Sequence, residues 1–303
     1  MVAGGWSPLC LGGNVFGWTI DETTSHEVLD AYVARGGAFV DTADIYSTWV
    51  SGNTGGESER IVGSWLADRD LAGTVVVATK VGSPMPEGTG LARSYVLEAA
   101  ERSRERLGVE VIDVLYAHRP DPQTPIAETM QAFDELVQGG VVREVALSNY
   151  DAAELRAALD ACDELGLARP TMLQPGCHLL DREYEDGLAQ VCVDEHIAVA
   201  PYYALAAGFL TGKYRRDQPA PASARAASVL ARFGDDHGWA LLDRVDQVAA
   251  LHGATPSQVA IAWLRTRPAV VSPIASATSV DQLDELMGAL ELQLTEDDLA
   301  LLA

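Results

Sequence analysis

Short apolar runs rich in β-branched residues recur along the chain, separated by longer stretches whose apolar residues repeat at helical spacing. The runs fall at 38–42, 74–79, 112–116, 142–147, 171–174, 197–202 and 270–274, with a shorter one at Leu9-Cys10-Leu11-Gly12. Runs of this length without strict alternation suit strands buried on both faces, the environment of a parallel sheet. Between them, Val28, Leu29, Tyr32 and Val33, then Met130, Phe133, Leu136 and Val137, then Val259, Trp263 and Leu264 place their side chains on one face of a helix. Capping chemistry marks the helix ends: Asn149-Tyr150-Asp151 opens one, Thr255-Pro256-Ser257-Gln258 reads as an N-cap with proline in the first turn, and Gly108 and Gly139-Gly140 close others.

Strand starts recur about every 26 to 38 residues as far as Tyr202, the pitch of βα units in a (β/α)8 barrel. The pattern therefore predicts an α/β protein, a single (β/α)8 TIM barrel over residues 1–303 with its active site at the C-terminal ends of the strands. After the seventh run the rhythm fails, and 203–240 reads as a long loop of Gly, Pro, Arg and Ala leaving a strand end. A loop of that length in a compact domain is functional or disordered. A doubly wound dinucleotide fold is the rival architecture, but no Gly-x-Gly-x-x-Gly follows any strand, and Gly12-Gly13 and Gly55-Gly56 read as turn glycines.

Composition narrows the function classes. With 21 Lys+Arg against 44 Asp+Glu the net charge is −23, while 48% hydrophobic residues suffice for a sizeable core. Such a negative surface opposes binding to a phosphate backbone, so nucleic acid is not an expected partner. Residues 1–6 carry no basic cluster ahead of an apolar core, and no apolar run has the length of a membrane span; no secretory leader, no membrane and a cytoplasmic location are expected. Cys10, Cys162, Cys177 and Cys192 lie far apart and form no Cys-x-x-Cys, so they read as reduced, buried thiols and no metal is expected. The absence of any His-x-His argues against a metal-dependent barrel hydrolase.

Chemistry gathers at the strand ends. The second run leads into Asp41-Thr42-Ala43-Asp44-Ile45-Tyr46, the third ends in Lys80, and the fourth is followed by His118. Parallel barrel strands aim these ends at one mouth, so the four groups converge although distant in sequence. A lysine and an aspartate at the inner ends of apolar strands are costly unless paired or functional.

These segments resemble the aldo-keto reductase superfamily. The Asp-Thr-Ala-Asp-x-Tyr run, Lys80 closing Val-Val-Val-Ala-Thr-Lys, and His118 in Leu-Tyr-Ala-His-Arg match that family's catalytic tetrad in order and setting. The likeness continues through Gly56-Glu57-Ser58-Glu59, Leu147-Ser148-Asn149-Tyr150, Gln174, Leu180-Asp181-Arg182, the stretch from Gly208 to Tyr214, and Gln282-Leu283-Asp284-Glu285. The resemblance implies reduction of an aldehyde or ketone to an alcohol by hydride from a nicotinamide cofactor, NADPH first and NADH as the alternative. Tyr46 would be the acid, Lys80 would lower its pKa, Asp41 would hold Lys80, and His118 would orient the carbonyl. Ser148, Asn149 and Gln174 are carried to the nicotinamide carboxamide and Tyr202 to stacking on its ring. Leu205, Gly208, Leu210 and Lys213 would wrap the pyrophosphate, and Thr278, Gln282 and Glu285 would hold the adenosine end.

The chain also departs from the family pattern. Tyr203-Ala204 replaces Ser-Pro after the stacking aromatic, Ser276-Ala277-Thr278 replaces a basic cofactor motif, and Leu286 stands where Asn is usual. With no Lys or Arg at 276–282, Arg225 becomes the candidate cation for a 2′-phosphate. Trp18, Trp49 and the loop 47–55 read as the rim of a small-molecule carbonyl site, and His178 replaces a polar amide. The alternative is a cofactor-binding regulatory or interaction protein on the same barrel, as potassium-channel β-subunits are.

Overall fold

The computed structural model describes residues 6–223 and 225–303; the leader expectation, read from the first residues, lies outside that range apart from Trp6. Eight strands form one parallel sheet: β1 Cys10–Gly12, β2 Phe39–Asp41, β3 Val76–Val81, β4 Ile112–Ala117, β5 Val142–Ser148, β6 Met172–Gln174, β7 Ala198–Val199 and β8 Ile274–Ala275. Their order is β7-β6-β5-β4-β3-β2-β1-β8. A parallel bridge between Val199 and Val270 and a bond from Ile274 N–H to the Pro201 carbonyl (2.9 Å) join the two ends into the (β/α)8 barrel.

The strand pleat explains both the core and the site. Side chains alternate across a strand, so Cys10, Phe39, Ala78, Val114, Tyr116, Ala146 and Met172 pack together inside the barrel. Their neighbours Leu11, Val40, Val77, Leu115, Leu147 and Leu173 pack outward beneath the helices. This is why the runs lack polar alternation. Two residues beyond the inner layer, the same parity brings Asp41, Lys80, His118, Ser148 and Gln174 to the mouth.

The helices begin where their caps predict. Asp21 accepts from Thr24 N–H at α1 (Glu22–Ala34), while Asp151 with Glu154 and Thr255 with Gln258 form capping boxes at α5 (Ala152–Leu165) and α9 (Pro256–Arg265). The remaining outer helices are α2 Glu57–Arg69, α3 Arg93–Leu107, α4 Ile126–Gln138, α6 Leu188–Asp194, α8 Asp236–His252, α10 Val280–Gly288 and α11 Glu296–Leu301. Among the described residues no helix is long and apolar enough to cross a membrane.

Three expectations on element bounds are corrected. Lys80 lies within β3 rather than at its end, the run 197–202 is strand only at Ala198–Val199, and the last strand is Ile274–Ala275. The segment 203–240 is not one irregular loop: it holds tight helical turns at Ala206–Thr211, α7 at Ala226–Phe233, and the start of α8. Helix α7 forms because Ala226, Val229 and Phe233 make one buried face, a repeat of only two turns that the surrounding glycines and prolines mask.

At the bottom of the barrel, Tyr32 of α1 ties the first two strands. Its buried hydroxyl donates to the Leu9 carbonyl (2.5 Å) and accepts from Phe39 N–H (3.3 Å), with Ser7 Oγ 3.2 Å away. Removing the hydroxyl strands buried backbone groups, so Tyr32→Phe is expected to lower unfolding free energy by about 1–3 kcal/mol. Urea unfolding measures it, and an unchanged midpoint would show the tie to be dispensable.

Candidate active site

Lys80 is fully buried, and each hydrogen of its ammonium has an acceptor: Asp41 Oδ2 at 2.7 Å, the Thr42 carbonyl at 2.8 Å and Tyr46 Oη at 2.8 Å. The backbone explains how Tyr46 arrives there. Beyond β2 the chain continues to pair with β3, Thr42 N–H donating to the Ala78 carbonyl and Asp44 N–H to that of Lys80, before a turn carries Tyr46 back over the ammonium. Ser47, at φ 71°, anchors this turn by donating to the Phe16 carbonyl (2.8 Å). Asp41 Oδ2 also accepts from the Tyr46 hydroxyl (3.2 Å), and Oδ1 accepts from Gln174 Nε2 (2.8 Å).

Electrostatics follow from burial. Desolvation pulls the Lys80 pKa below its ordinary value although the Asp41 charge resists. The net shift of the Tyr46 phenol is the reverse of the lowering expected: burial first, then the Asp41 charge and hydrogen bond, outweigh the neighbouring ammonium and hold the phenol well above the usual tyrosine value. The Lys80 charge is committed to Asp41, so the phenol faces a nearly neutral pair rather than a free cation. Tyr46 is therefore a protonated donor at neutral pH. The His118 ring lies 6.3 Å from the Tyr46 ring at 78°. Burial, then the Lys80 and Arg119 cations, keep its pKa well below the ordinary value, so the imidazole is neutral. Its Nδ1 is buried with no partner, a polar atom left for something else to satisfy.

Ser148, Asn149, Gln174 and Tyr202 meet at the ends of β5 to β7, but much of their polarity is spent on the protein. Ser148 Oγ donates to the Gln174 carbonyl (2.9 Å), Asn149 Nδ2 donates to the His118 carbonyl (2.8 Å) and Ser148 Oγ (3.1 Å), and the Tyr202 hydroxyl donates to Asn149 Oδ1 (2.6 Å). Beyond β7, three non-glycine residues take left-handed conformations, Tyr203 (φ 61°), Ala206 (φ 48°) and Ala207 (φ 54°). Strain so concentrated marks a segment shaped for something other than stability. Gly208 follows at φ +99°, with the exposed Lys213 curled over it so that a Cβ would meet its Nζ at 3.1 Å. Leu205 is half-buried and Leu210 lies in the core, leaving mainly the backbone of Leu210 for contact.

Arg225, at the N-cap of α7, places its guanidinium 4.3 Å over the Trp18 ring. Neither Arg225 nor Lys213 forms an ion pair among the described residues. Burial, with each other's proximity for Lys213, lowers both pKa values. Trp18 meets Trp49 edge-on at 5.3 Å and Trp49 lies 6.4 Å from the Tyr46 ring. With Asn14, Tyr203 and Arg225 these tryptophans line a cleft of about 380 Å³. At the β8 side Gln282 Oε1 accepts from Thr278 N and Oγ1 (2.9 Å each), and Glu285 Oε1 accepts from Thr255 Oγ1 (2.8 Å), which ties α10 to α9. His178 is buried, with its Nδ1 accepting from Leu180 N–H (3.1 Å) and its ring against Phe233 (5.4 Å); burial pushes its pKa down to about 4.

Two groups beside the tetrad were not legible. The Gln174 bond to Asp41 spans 133 residues, beyond any local pattern. Asp44 was visible only as a letter of the motif, yet its carboxyl is buried, its Oδ1 has no partner, and burial followed by the Glu59 charge pushes its pKa up to about 8. Glu59 is itself buried, accepting from Thr79 Oγ1 (2.5 Å) and Arg106 Nε (2.6 Å).

Asp44 makes stability depend on pH. From the ordinary carboxyl value near 4 up to about 8, the folded protein retains a proton that the unfolded chain has released, so stability falls with rising pH across that interval and levels off above it. Asp44→Asn is expected to flatten this fall by a few kcal/mol, on the order of one for each unit of pH spanned. Unfolding by urea at pH 5 and pH 8 tests it; parallel changes in wild type and variant would show that Asp44 is ionised in the fold.

The sequence profile of the aldo/keto reductase family matches residues 8–303. Protein tas of Escherichia coli (strain K12) is 30% identical over 97% of this chain and 92% of its own length. A probable voltage-gated potassium channel subunit beta of Arabidopsis thaliana is 31% identical over 91% of this chain and 85% of its own, and the aldo-keto reductase str7 of Strobilurus tenacellus 33% over 90% and 78%. With a buried lysine bridging an aspartate and a tyrosine at the barrel mouth, the chain belongs to the aldo/keto reductase family, whose members act on small carbonyl compounds with nicotinamide cofactors.

Proposed function

We propose that this protein is an NADPH-dependent reductase of aldehydes or ketones in which Tyr46 delivers the proton. The observation that carries the reading is the Lys80 ammonium held between Asp41 and Tyr46, all three hydrogens engaged. A bound nicotinamide supplies the hydride. As negative charge grows on the carbonyl oxygen, a phenol that stays protonated at neutral pH hydrogen-bonds that oxygen and passes its proton to it. The tyrosinate so formed lies 2.8 Å from Lys80 Nζ, which stabilises it at the moment of transfer. Neutral His118 orients the carbonyl by a hydrogen bond without competing as an acid, and Trp18 and Trp49 wall the approach.

The chain's residues fit the cofactor. The unpartnered His118 Nδ1, the left-handed Gly208 beneath the Lys213 ammonium, and Lys213 and Arg225, which form no ion pair among the described residues, are features that a dinucleotide would satisfy. In this reading Ser148, Asn149 and Gln174 receive the carboxamide, Tyr202 offers its ring to the nicotinamide, and Leu205, Gly208, Leu210 and Lys213 line the pyrophosphate. Arg225 takes the 2′-phosphate, and Thr278, Gln282 and Glu285 hold the adenosine. Similarity to a protein named as a potassium channel subunit supports the second reading, a regulatory barrel with little turnover. A screen of aldehydes and ketones with NADPH and NADH separates the two: enzymatic turnover favours the reductase, and tight cofactor binding without turnover favours the regulator.

Tyr46→Phe should cut kcat by roughly 100-fold or more while NADPH affinity stays within a few fold, because the phenol serves the alkoxide and not the cofactor. A variant with most of its activity would assign the acid elsewhere. Arg225→Ala should weaken NADPH over NADH by on the order of tenfold or more, since only NADPH carries the extra phosphate. Lys213→Ala should weaken both. Equal losses for the two cofactors in Arg225→Ala would remove Arg225 from the phosphate site.

A further inference from the structure

We propose that Gln174 is a positioning residue for the proton-donating group: its side-chain amide pins one oxygen of Asp41 so that the other is held for Lys80 and Tyr46 together. Gln174 Nε2 donates to Asp41 Oδ1 at 2.8 Å, and both side chains are only 2% exposed. Among the described residues no other donor reaches Oδ1. The opposite oxygen takes Lys80 at 2.7 Å and Tyr46 at 3.2 Å. Without the amide, the carboxylate is free to turn about its Cβ–Cγ bond and meet the ammonium with both oxygens, which draws Lys80 away from Tyr46 Oη. The amide is itself held from behind: the Gln174 carbonyl accepts from Ser148 Oγ (2.9 Å) and Asn149 N–H (3.1 Å), in register with the end of β5.

This role is distinct from contact with a bound carboxamide. Nε2 is engaged with the protein, so Gln174 can serve a ligand only through Oε1, as an acceptor. The two roles respond oppositely to a carboxyl group at position 174. A ligand's N–H is accepted at least as well by an ionised carboxylate as by an amide, whereas Asp41 Oδ1 needs a donor, which a carboxyl group is only while protonated. Against the Asp41 charge, an introduced carboxyl holds its proton to higher pH, and once ionised it repels its neighbour. Cys10 inside the barrel, Tyr116 of β4, Tyr46 and Lys80 also face this point, His118 lies beside Tyr46, and Asp44, with its pKa pushed up to about 8, acts on Lys80 within the same pH range; wild type read over that range accounts for their titration.

The test follows the thermal midpoint of the protein without added cofactor from pH 5.5 to 8.5. Gln174→Glu should melt near wild type at the acid end and fall several degrees below it at the alkaline end, while Gln174→Met, with no donor at any pH, shows an offset that does not change with pH. Placing Gln174→Glu in an Asp41→Ala background should abolish the pH-dependent gap, since no second carboxylate remains to repel it. Failure to fold above pH 7, reversed on acidification, is the same result. Parallel midpoint curves for wild type and Gln174→Glu, or a gap that persists without Asp41, overturn the proposal.

The consequence for turnover rests on the reductase reading. There kcat of Gln174→Glu should drop on the order of tenfold relative to wild type as pH rises through the same interval. Activity retained best at high pH would assign Gln174 to the carboxamide alone. A failure of the reductase reading leaves the melting experiment intact, so the two are told apart.

Discussion

The mouth of this barrel is organised around one ammonium group that has been removed entirely from water. Burying a lysine charge costs several kcal/mol unless the protein replaces its hydration, and here the replacement is complete: a carboxylate, a backbone carbonyl and a phenol each take one hydrogen. Because the acceptors come from β2 and the turn after it while the lysine comes from β3, the ion pair also fixes how that turn must fold. Tyr46 has its position because Lys80 has nowhere else to put its third hydrogen.

That arrangement sets the chemical character of the phenol. A free cation beside a tyrosine would favour the tyrosinate, whereas an aspartate–lysine pair is nearly neutral, and burial then keeps the proton on oxygen. The phenol thus keeps its proton while lying 2.8 Å from an ammonium, a combination that a lone lysine or a lone aspartate would not give. Asp41 is thus less an anchor than a regulator of how much of the lysine's charge the phenol feels, which is why the donor on its far oxygen has a consequence at Tyr46.

How much of this the chain announced depends on the range of the forces involved. Strand identity was readable because inward and outward positions are both apolar, and Asp41, Lys80 and His118 because each stands two residues beyond an inner-layer position, whereas Tyr46 lies in the turn after β2 and was legible only through its motif. Asp151, Thr255 and Gly108 gave helix ends correctly, since a cap acts within one turn. Helix α7 was missed because eight residues carry too few repeats to stand out from alanine- and arginine-rich surroundings. The sign of the Tyr46 shift was missed for a different reason: it depends on burial and on the geometry of Asp41, and neither is a property of residue type. The Gln174–Asp41 bond, joining β6 to β2 across the barrel, had no local signal at all.

Beyond the tetrad the structure separates groups already satisfied from groups still waiting. Asn149 has its carbonyl oxygen and its amide hydrogens matched within the protein, and Glu285 is tied to a neighbouring helix, so any ligand contact there must compete with an existing bond. Lys213 and Arg225 have no such competitor. Lys213 lies over Gly208 and Arg225 lines the cleft with Tyr203 and Ala207, so both cations sit beside the strained turn. Arg225 instead rests its guanidinium on the Trp18 ring, 4.3 Å from its centroid, which keeps the arginine at the cleft.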